Sequence, residues 1–240
     1  MIYVGLDDTD MLDTPGTNQL ARHLVRELAP GLRARMILRH QLLEDPRVPC
    51  TRKNGCASIE LEASEPVKIS DLALRLRELI WAWIPEGSDP GLAIAETIPA
   101  SLADWGKRAK RELLTQYEAR ELAAAQGIYL EGLAGSEDGV IGALAAIGLM
   151  STRSDGRVVY LSAERGEFQE GDVLDVTGPV AMESIFGRGI DAVIDHETQE
   201  FVEWGTVEIG KKLRPNLRGG RVVLYAARRG DGQYEAVRVT

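Results

Sequence analysis

The segment Ile2-Tyr3-Val4-Gly5-Leu6-Asp7-Asp8-Thr9-Asp10 decides how the rest of the chain is read. Its apolar run stops in three carboxylates within four residues, the pattern of a buried strand that delivers charge to its own C-terminal end. That end is where open α/β sheets place their ligands. Carboxylates so crowded repel one another, and a cation between them relieves the repulsion. Magnesium suits the position, because it prefers oxygen ligands and shares one or two carboxylates with the phosphates of a substrate.

Downstream, Thr14-Pro15-Gly16-Thr17-Asn18 is rich in turn formers, and Leu20, Ala21, Leu24, Val25 and Leu28 recur with a helical period. The spacing predicts a helix with Thr17 or Asn18 near its N-cap. Strand, acidic loop and helix N-terminus together would turn backbone amides toward a phosphate. The plain alternative is a solvated Asp-rich turn with a capping threonine. A second loop, Arg52-Lys53-Asn54-Gly55, also has two readings. Arg52 and Lys53 would clamp phosphates while Asn54 and Gly55 let the backbone approach, or Asn-Gly is the two-residue turn of a β-hairpin that continues into Cys56–Glu62.

Three segments in order resemble one family. Val4–Asp10 followed by Gly16-Thr17-Asn18-Gln19-Leu20, then Pro46-Arg47-Val48-Pro49 with Thr51-Arg52-Lys53-Asn54-Gly55, then Gly139–Gly148 are similar to the archaeal isoleucine-tRNA agmatinylcytidine synthetases. The resemblance covers roughly the first two-thirds of the chain. It implies a kinase-like N-terminal domain that uses ATP and magnesium to activate a tRNA wobble cytidine, so that agmatine replaces an oxygen. By the same resemblance Asp7, Asp8 and Asp10 serve the metal and the phosphates, and Thr17 matches a threonine that the family phosphorylates. Thr9, Gly16, Asn18, Arg52, Lys53, Asn54 and Gly55 complete the expected ATP-binding set, with Lys107 and Lys110 as point charges within reach of a triphosphate.

The departures are specific. Gly16 stands where the family has Cys, and Asn18 where it has a second Thr. Family members continue into an oligonucleotide-binding fold and a zinc ribbon, whereas Cys50 and Cys56 are too few for a four-Cys ribbon. ATP chemistry is therefore the firmer expectation and tRNA the weaker one. The alternatives are a non-catalytic nucleotide-binding or RNA-associated module and a magnesium-dependent phosphohydrolase.

Composition narrows the class. A hydrophobic content of 44% is that of a globular protein, no apolar run reaches the length of a membrane span, and neither cysteine sits in a CxxC pair, which fits a reducing, cytoplasmic setting. The net charge of −9 opposes a surface coated for nucleic acid. Lys107-Arg108 with Lys110-Arg111, and Lys211, Lys212, Arg214, Arg218 and Arg221, are local exceptions that also read as solvated faces. His23, His40 and His196 show no metal spacing. Asp89-Pro90-Gly91 reads as a turn, while the resemblance implies that a Pro-Gly at this place lines the site. Gly139–Gly148 lacks the Gly-Lys-Ser/Thr ending of a phosphate loop and predicts close packing through small residues.

The expected fold is two-domain α/β (α+β). A kinase-like α/β nucleotide-binding domain spans 1–152, and a smaller, strand-rich α+β domain spans 153–240. Predicted elements are a strand over 33–40, a strand over 56–62, an amphipathic helix over 69–83, a helix or buried turn over 140–150, and strands over 158–161, 173–176, 201–209 and 221–227. The last pairs with 235–239 across Gly230-Asp231-Gly232.

Overall fold

The computed structural model describes residues 1–29, 31–162 and 173–239. The chain divides into two compact units, Met1–Thr152 and Arg153–Thr240. The first contains β1 (Ile2–Asp7), α1 (Thr17–Leu28), β2 (Leu32–Arg39), β3 (Ala57–Ala63), α2 (Ile69–Trp81), β4 (Gly91–Ala95), α3 (Ala100–Ala109), α4 (Gln116–Gln126), β5 (Tyr129–Gly132) and α5 (Gly139–Ser151). Its strands run in the order β5-β4-β1-β3-β2, and every neighbouring pair is antiparallel. The architecture is thus the α+β form of the expected class.

β1 lies at the centre of the sheet and is buried on both faces, which is why it reads as a continuous apolar run. Side chains alternate along it. Gly5 and Asp7 face α5, while Ile2, Val4 and Leu6, all 3% exposed or less, face the other side. There α1 buries Leu20, Ala21, Leu24, Val25 and Leu28, and α2 buries Leu72, Ala73, Leu76 and Ile80.

α5 is apolar around its whole circumference, as a helix enclosed on all sides must be. It packs against β1, β4, α3 and α4. Its approach is close enough to touch backbone. A Cβ on Gly5 would lie 2.0 Å from the Ala143 carbonyl oxygen, and one on Gly148 would lie 1.8 Å from that of Leu102. Small residues serve close packing here, as the sequence suggests.

Thr17 stands near the N-cap of α1 as expected: the cap is Gly16 and Thr17 is the first helical residue, with Asp10 meeting Thr17 from outside the helix, as described below. One local expectation is corrected: Asn54-Gly55 is not the turn of a two-residue hairpin. β2 and β3 do form a hairpin, but pairing continues beyond both strands through His40 N–H to Cys56 O and Leu42 N–H to Asn54 O. The turn is consequently displaced into a long tip over 43–53. Asn54 instead donates from Nδ2 to the Leu43 carbonyl at 2.8 Å.

The second unit contains β6 (Arg157–Leu161), β7 (Gly178–Ala181), α6 (Met182–Gly187), β8 (Ala192–Asp195), β9 (Thr206–Ile209), β10 (Asn216–Arg218), β11 (Arg221–Gly230) and β12 (Gln233–Ala236). The path is β6-β10-β11-β12-β9-β7, with β8 on β11. The β11–β12 hairpin forms across the predicted Gly230–Gly232 turn. Val173 and Leu174 lie in a turn rather than a strand, because three apolar residues around Asp175 do not distinguish the two. The 201–209 strand shrinks to Thr206–Ile209 after Gly205, whose φ of 112° breaks extended pairing. Among the described residues no helix is long and apolar enough to cross a membrane.

Candidate functional site

Asp7 ends β1 against α5, and Gly142 makes room for it. A Cβ at Gly142 would stand 1.7 Å from Asp7 Oδ2, so helix backbone and carboxylate share a space that no other residue type leaves open. Burial, then the charge of Asp8, pushes Asp7 up to about 8, and the Asp8 amide and Arg39 only partly oppose this. Asp8 follows with a φ of 50°, a left-handed conformation that Asp tolerates better than most residues. Its carbonyl accepts the Asp89 N–H at 3.1 Å, which ties the acid loop to the segment before β4. Burial, then the charges of Asp89, Asp10 and Asp138, pushes Asp8 up to about 6.

Asp10 turns back to the N-terminus of α1. Its carboxylate accepts the Thr17 amide and, on Oδ1, the Thr17 hydroxyl at 3.2 Å. It thereby satisfies a free amide that the side-chain-less Gly16 cannot. Burial raises the Asp10 pKa, while the Thr17 bonds and the Arg52 charge act against it. Thr9 Oγ1 donates to Thr17 Oγ1 at 3.1 Å. The result is a directed chain of hydroxyl, hydroxyl and carboxylate, with both threonines buried.

The hairpin tip reaches over this loop. Thr51 Oγ1 donates to the Asp10 carbonyl at 3.0 Å, and Arg52 Nη2 donates to the Leu12 carbonyl at 3.1 Å. Arg52 is therefore brought to the acids. Lys53 is exposed and meets Glu44 at 3.6 Å, and Lys107 meets Asp104 at 3.5 Å on the surface of α3. Neither they nor Lys110, at the C-cap of α3, act on the carboxylates of the loop. Gly55 packs against Arg39, where a Cβ would lie 2.5 Å from Nη2.

Sequence reading missed Arg39, Asp138 and the role of Gly142, and took Asp89 only as part of a turn. Asp138 carried a faint signal, since it directly precedes the small-residue helix. Arg39 carried none, because a cation ending a strand is common.

The donor set was tested against a magnesium ion. Among the described residues no three Asp, Glu, His or Cys side chains are grouped to enclose one metal, which excludes an all-protein cage there. Uncompensated carboxylates with raised pKa values do fit a hard cation shared with phosphates. The Asn18 side-chain oxygen Oδ1 is buried without a partner, and it too is an acceptor suited to a cation or an N–H.

Comparison with known proteins finds relatives of one kind. The chain is 30% identical over 152 residues to the tRNA(Ile2) 2-agmatinylcytidine synthetase TiaS of Pyrococcus horikoshii, and 32% identical over 165 residues to that of Methanopyrus kandleri. In sequence the chain is similar to a part of these agmatinylcytidine synthetases. Those matches cover 62% and 67% of this chain but 35% and 36% of the two synthetases, so it spans about a third of their length. Among solved structures, the TiaS–tRNA(Ile2)–ATP complex superposes with a TM-score of 0.54 at 27% identity, covering 61% of this chain and 36% of that one. The TiaS–tRNA(Ile2)–AMPCPP–agmatine complex gives 0.53 at 25% identity, over 61% and 36% of the respective chains. No protein-family model matches the chain. The synthetase motifs quoted above from this sequence all fall within the first unit.

Proposed function

We propose that the acid loop of the first unit binds ATP with magnesium and activates an acceptor in a reaction of the agmatinylcytidine synthetase type. The acceptor is a tRNA or a small molecule, and tRNA is favoured because the relatives' names specify tRNA(Ile2). The observation that carries this reading is the Thr9–Thr17–Asp10 chain beside two carboxylates held well above their ordinary pKa. Phosphoryl chemistry is mostly positioning and charge neutralisation, and this arrangement provides both.

One or two of the carboxylates of Asp7, Asp8 and Asp10 would share the magnesium with the phosphates, and the ion when bound would neutralise phosphate charge. Asp10 would take the proton of Thr17 as that hydroxyl bonds to the γ-phosphorus of ATP and the bond to the β–γ bridging oxygen breaks to release ADP, a task for which its raised pKa makes it a better base. Arg52, with Lys53 beside it on the tip, neutralises the transferring or leaving group. Thr9, Gly16, Asn18, Asn54 and Gly55 shape the loop around the phosphates. Lys107 and Lys110 add charge from the end of α3, where Ala109 O accepts the Leu43 N–H of the hairpin tip.

Thr17 is only 6% exposed, and this favours a second reading. In it the hydroxyl merely orients the loop, and the pocket binds nucleotide without turnover. Incubation with magnesium and ATP labelled at the α and γ positions separates the two. AMP, or γ-label retained on Thr17, supports the enzyme. ATP binding without any product, with or without bulk tRNA, supports the binding module.

A further inference from the structure

The tip of the β2–β3 hairpin is tied down at its base and loose above it. At the base, the Leu43 N–H donates to the Ala109 carbonyl at 3.0 Å, Asn54 Nδ2 to the Leu43 carbonyl at 2.8 Å, and Gln41 Nε2 to the Asn54 carbonyl at 2.6 Å. Above it, no residue from Leu43 to Gly55 is buried. The tip instead curves around a groove of about 600 Å³, lined by Leu43, Val48, Cys50 and Arg52 among others. A segment that buries nothing lacks the packing that fixes position, and the groove leaves it room to move.

Within itself the tip is braced. Pro46 and Pro49 have fixed φ, Arg47 binds Asp45 at 2.7 Å, and Lys53 meets Glu44 at 3.6 Å from one side of the tip to the other. It can therefore swing as a unit about its base. Its two bonds to the acid loop, from Thr51 Oγ1 to the Asp10 carbonyl and from Arg52 Nη2 to the Leu12 carbonyl, both end on neutral acceptors. For a hydroxyl that is an ordinary match. A guanidinium fits a charged acceptor better, because carboxylate or phosphate takes two parallel bonds from it. The near carboxylate, that of Asp10, is already engaged by Thr17.

We infer that the tip over 43–53 is a flap set off by phosphate: a triphosphate at the acid loop draws Arg52 off the Leu12 carbonyl, the braced tip swings with it, and the groove closes around Cys50. The inference rests on the proposed binding of ATP at that loop. Exchange of a neutral acceptor for a charged one supplies the drive, since a charge-assisted hydrogen bond is roughly twice as strong as a neutral one. The ligand shifts the flap because it binds the closed form better.

Cys50 reports the movement. It is exposed and lines the groove, whereas Cys56 is buried, so a neutral alkylating reagent reaches Cys50 first. The test treats the full chain with iodoacetamide in the presence of magnesium and the β,γ-methylene analogue of ATP. Calorimetry follows binding of the analogue, and mass spectrometry follows alkylation of Cys50. Saturating analogue is expected to slow alkylation at least about fivefold, and adenosine, which has no phosphate, is expected to leave the rate unchanged. Arg52→Gln, at a concentration of analogue that saturates it, should leave the rate within about twofold of that of the free protein. Absence of binding overturns the reading of the acid loop and the flap with it. Binding without protection of Cys50, or equal protection in Arg52→Gln, overturns the flap alone.

Discussion

Asp8 and Asp45 are chemically identical and meet opposite fates. At the hairpin tip, Arg47 binds Asp45 through side chain and backbone and holds it down at about 2. At the end of β1, burial and other acids push Asp8 up to about 6 and Asp7 to about 8. Compensation at the tip comes from two residues away in sequence. At the strand end Arg39 and Arg52 offset the acids only in part, which is the deficit the proposed metal and phosphates would answer. The difference separates a surface pair from a binding site more sharply than exposure does.

Four changes would break or sharpen that contrast. The largest effect is expected from Asp8→Asn, which should lower ATP turnover about 1000-fold while its circular dichroism spectrum stays that of the parent. Normal turnover in the folded variant would remove the acid loop from the mechanism. Next, Gly142→Ala puts a methyl where Asp7 Oδ2 now lies. Overpacking of this kind costs about 1–3 kcal/mol, to be seen as a lower denaturation midpoint together with weaker nucleotide binding.

The third change is pH. The folded pKa values of Asp7 and Asp8 are raised above the ordinary value of 3.8, so the folded state binds their protons more tightly than the unfolded chain does. Their stabilising contribution is full below about pH 4 and is lost as pH rises through about 6 for Asp8 and about 8 for Asp7. Thermal melts without metal should therefore show Asp7→Asn gaining on the parent as pH rises from 4 to 8. Magnesium with ATP should close that gap at pH 8 by stabilising the parent; a gap independent of pH would refute the raised values. The smallest effect is Asp45→Asn, which should leave the melting midpoint where it is, because an exposed pair contributes little.

Much of the fold was legible because its signals are local. β1, α1 and α2 each carry the period of the structure they form, and the glycines of 139–148 announce close packing. The antiparallel pairing of β1 was not legible, since a strand buried on both faces gives the same run in either kind of sheet. In the site, Asp7, Asp8 and Asp10 stood out by crowding, and Arg52 by its neighbours. Asp89, Asp138 and Arg39 reach the loop through pairings and packing that link distant segments, and single residues in ordinary contexts leave no periodic trace. The partner of the α1 N-terminus was not legible for a related reason. The capping carboxylate of Asp10 comes from seven residues before Thr17, outside any local capping pattern.

The packing of α5 on β1 has a consequence for synthesis. The acid loop is made before the wall that buries Asp7, because Gly142 follows it by more than a hundred residues. Contacts of such sequence separation form late, and domains complete as units during translation. Until 139–151 emerges, the three aspartates remain in water with ordinary acidity and little reason to select a cation. The chain thus acquires its acidic site in one step, when its first strand meets the last helix of the unit.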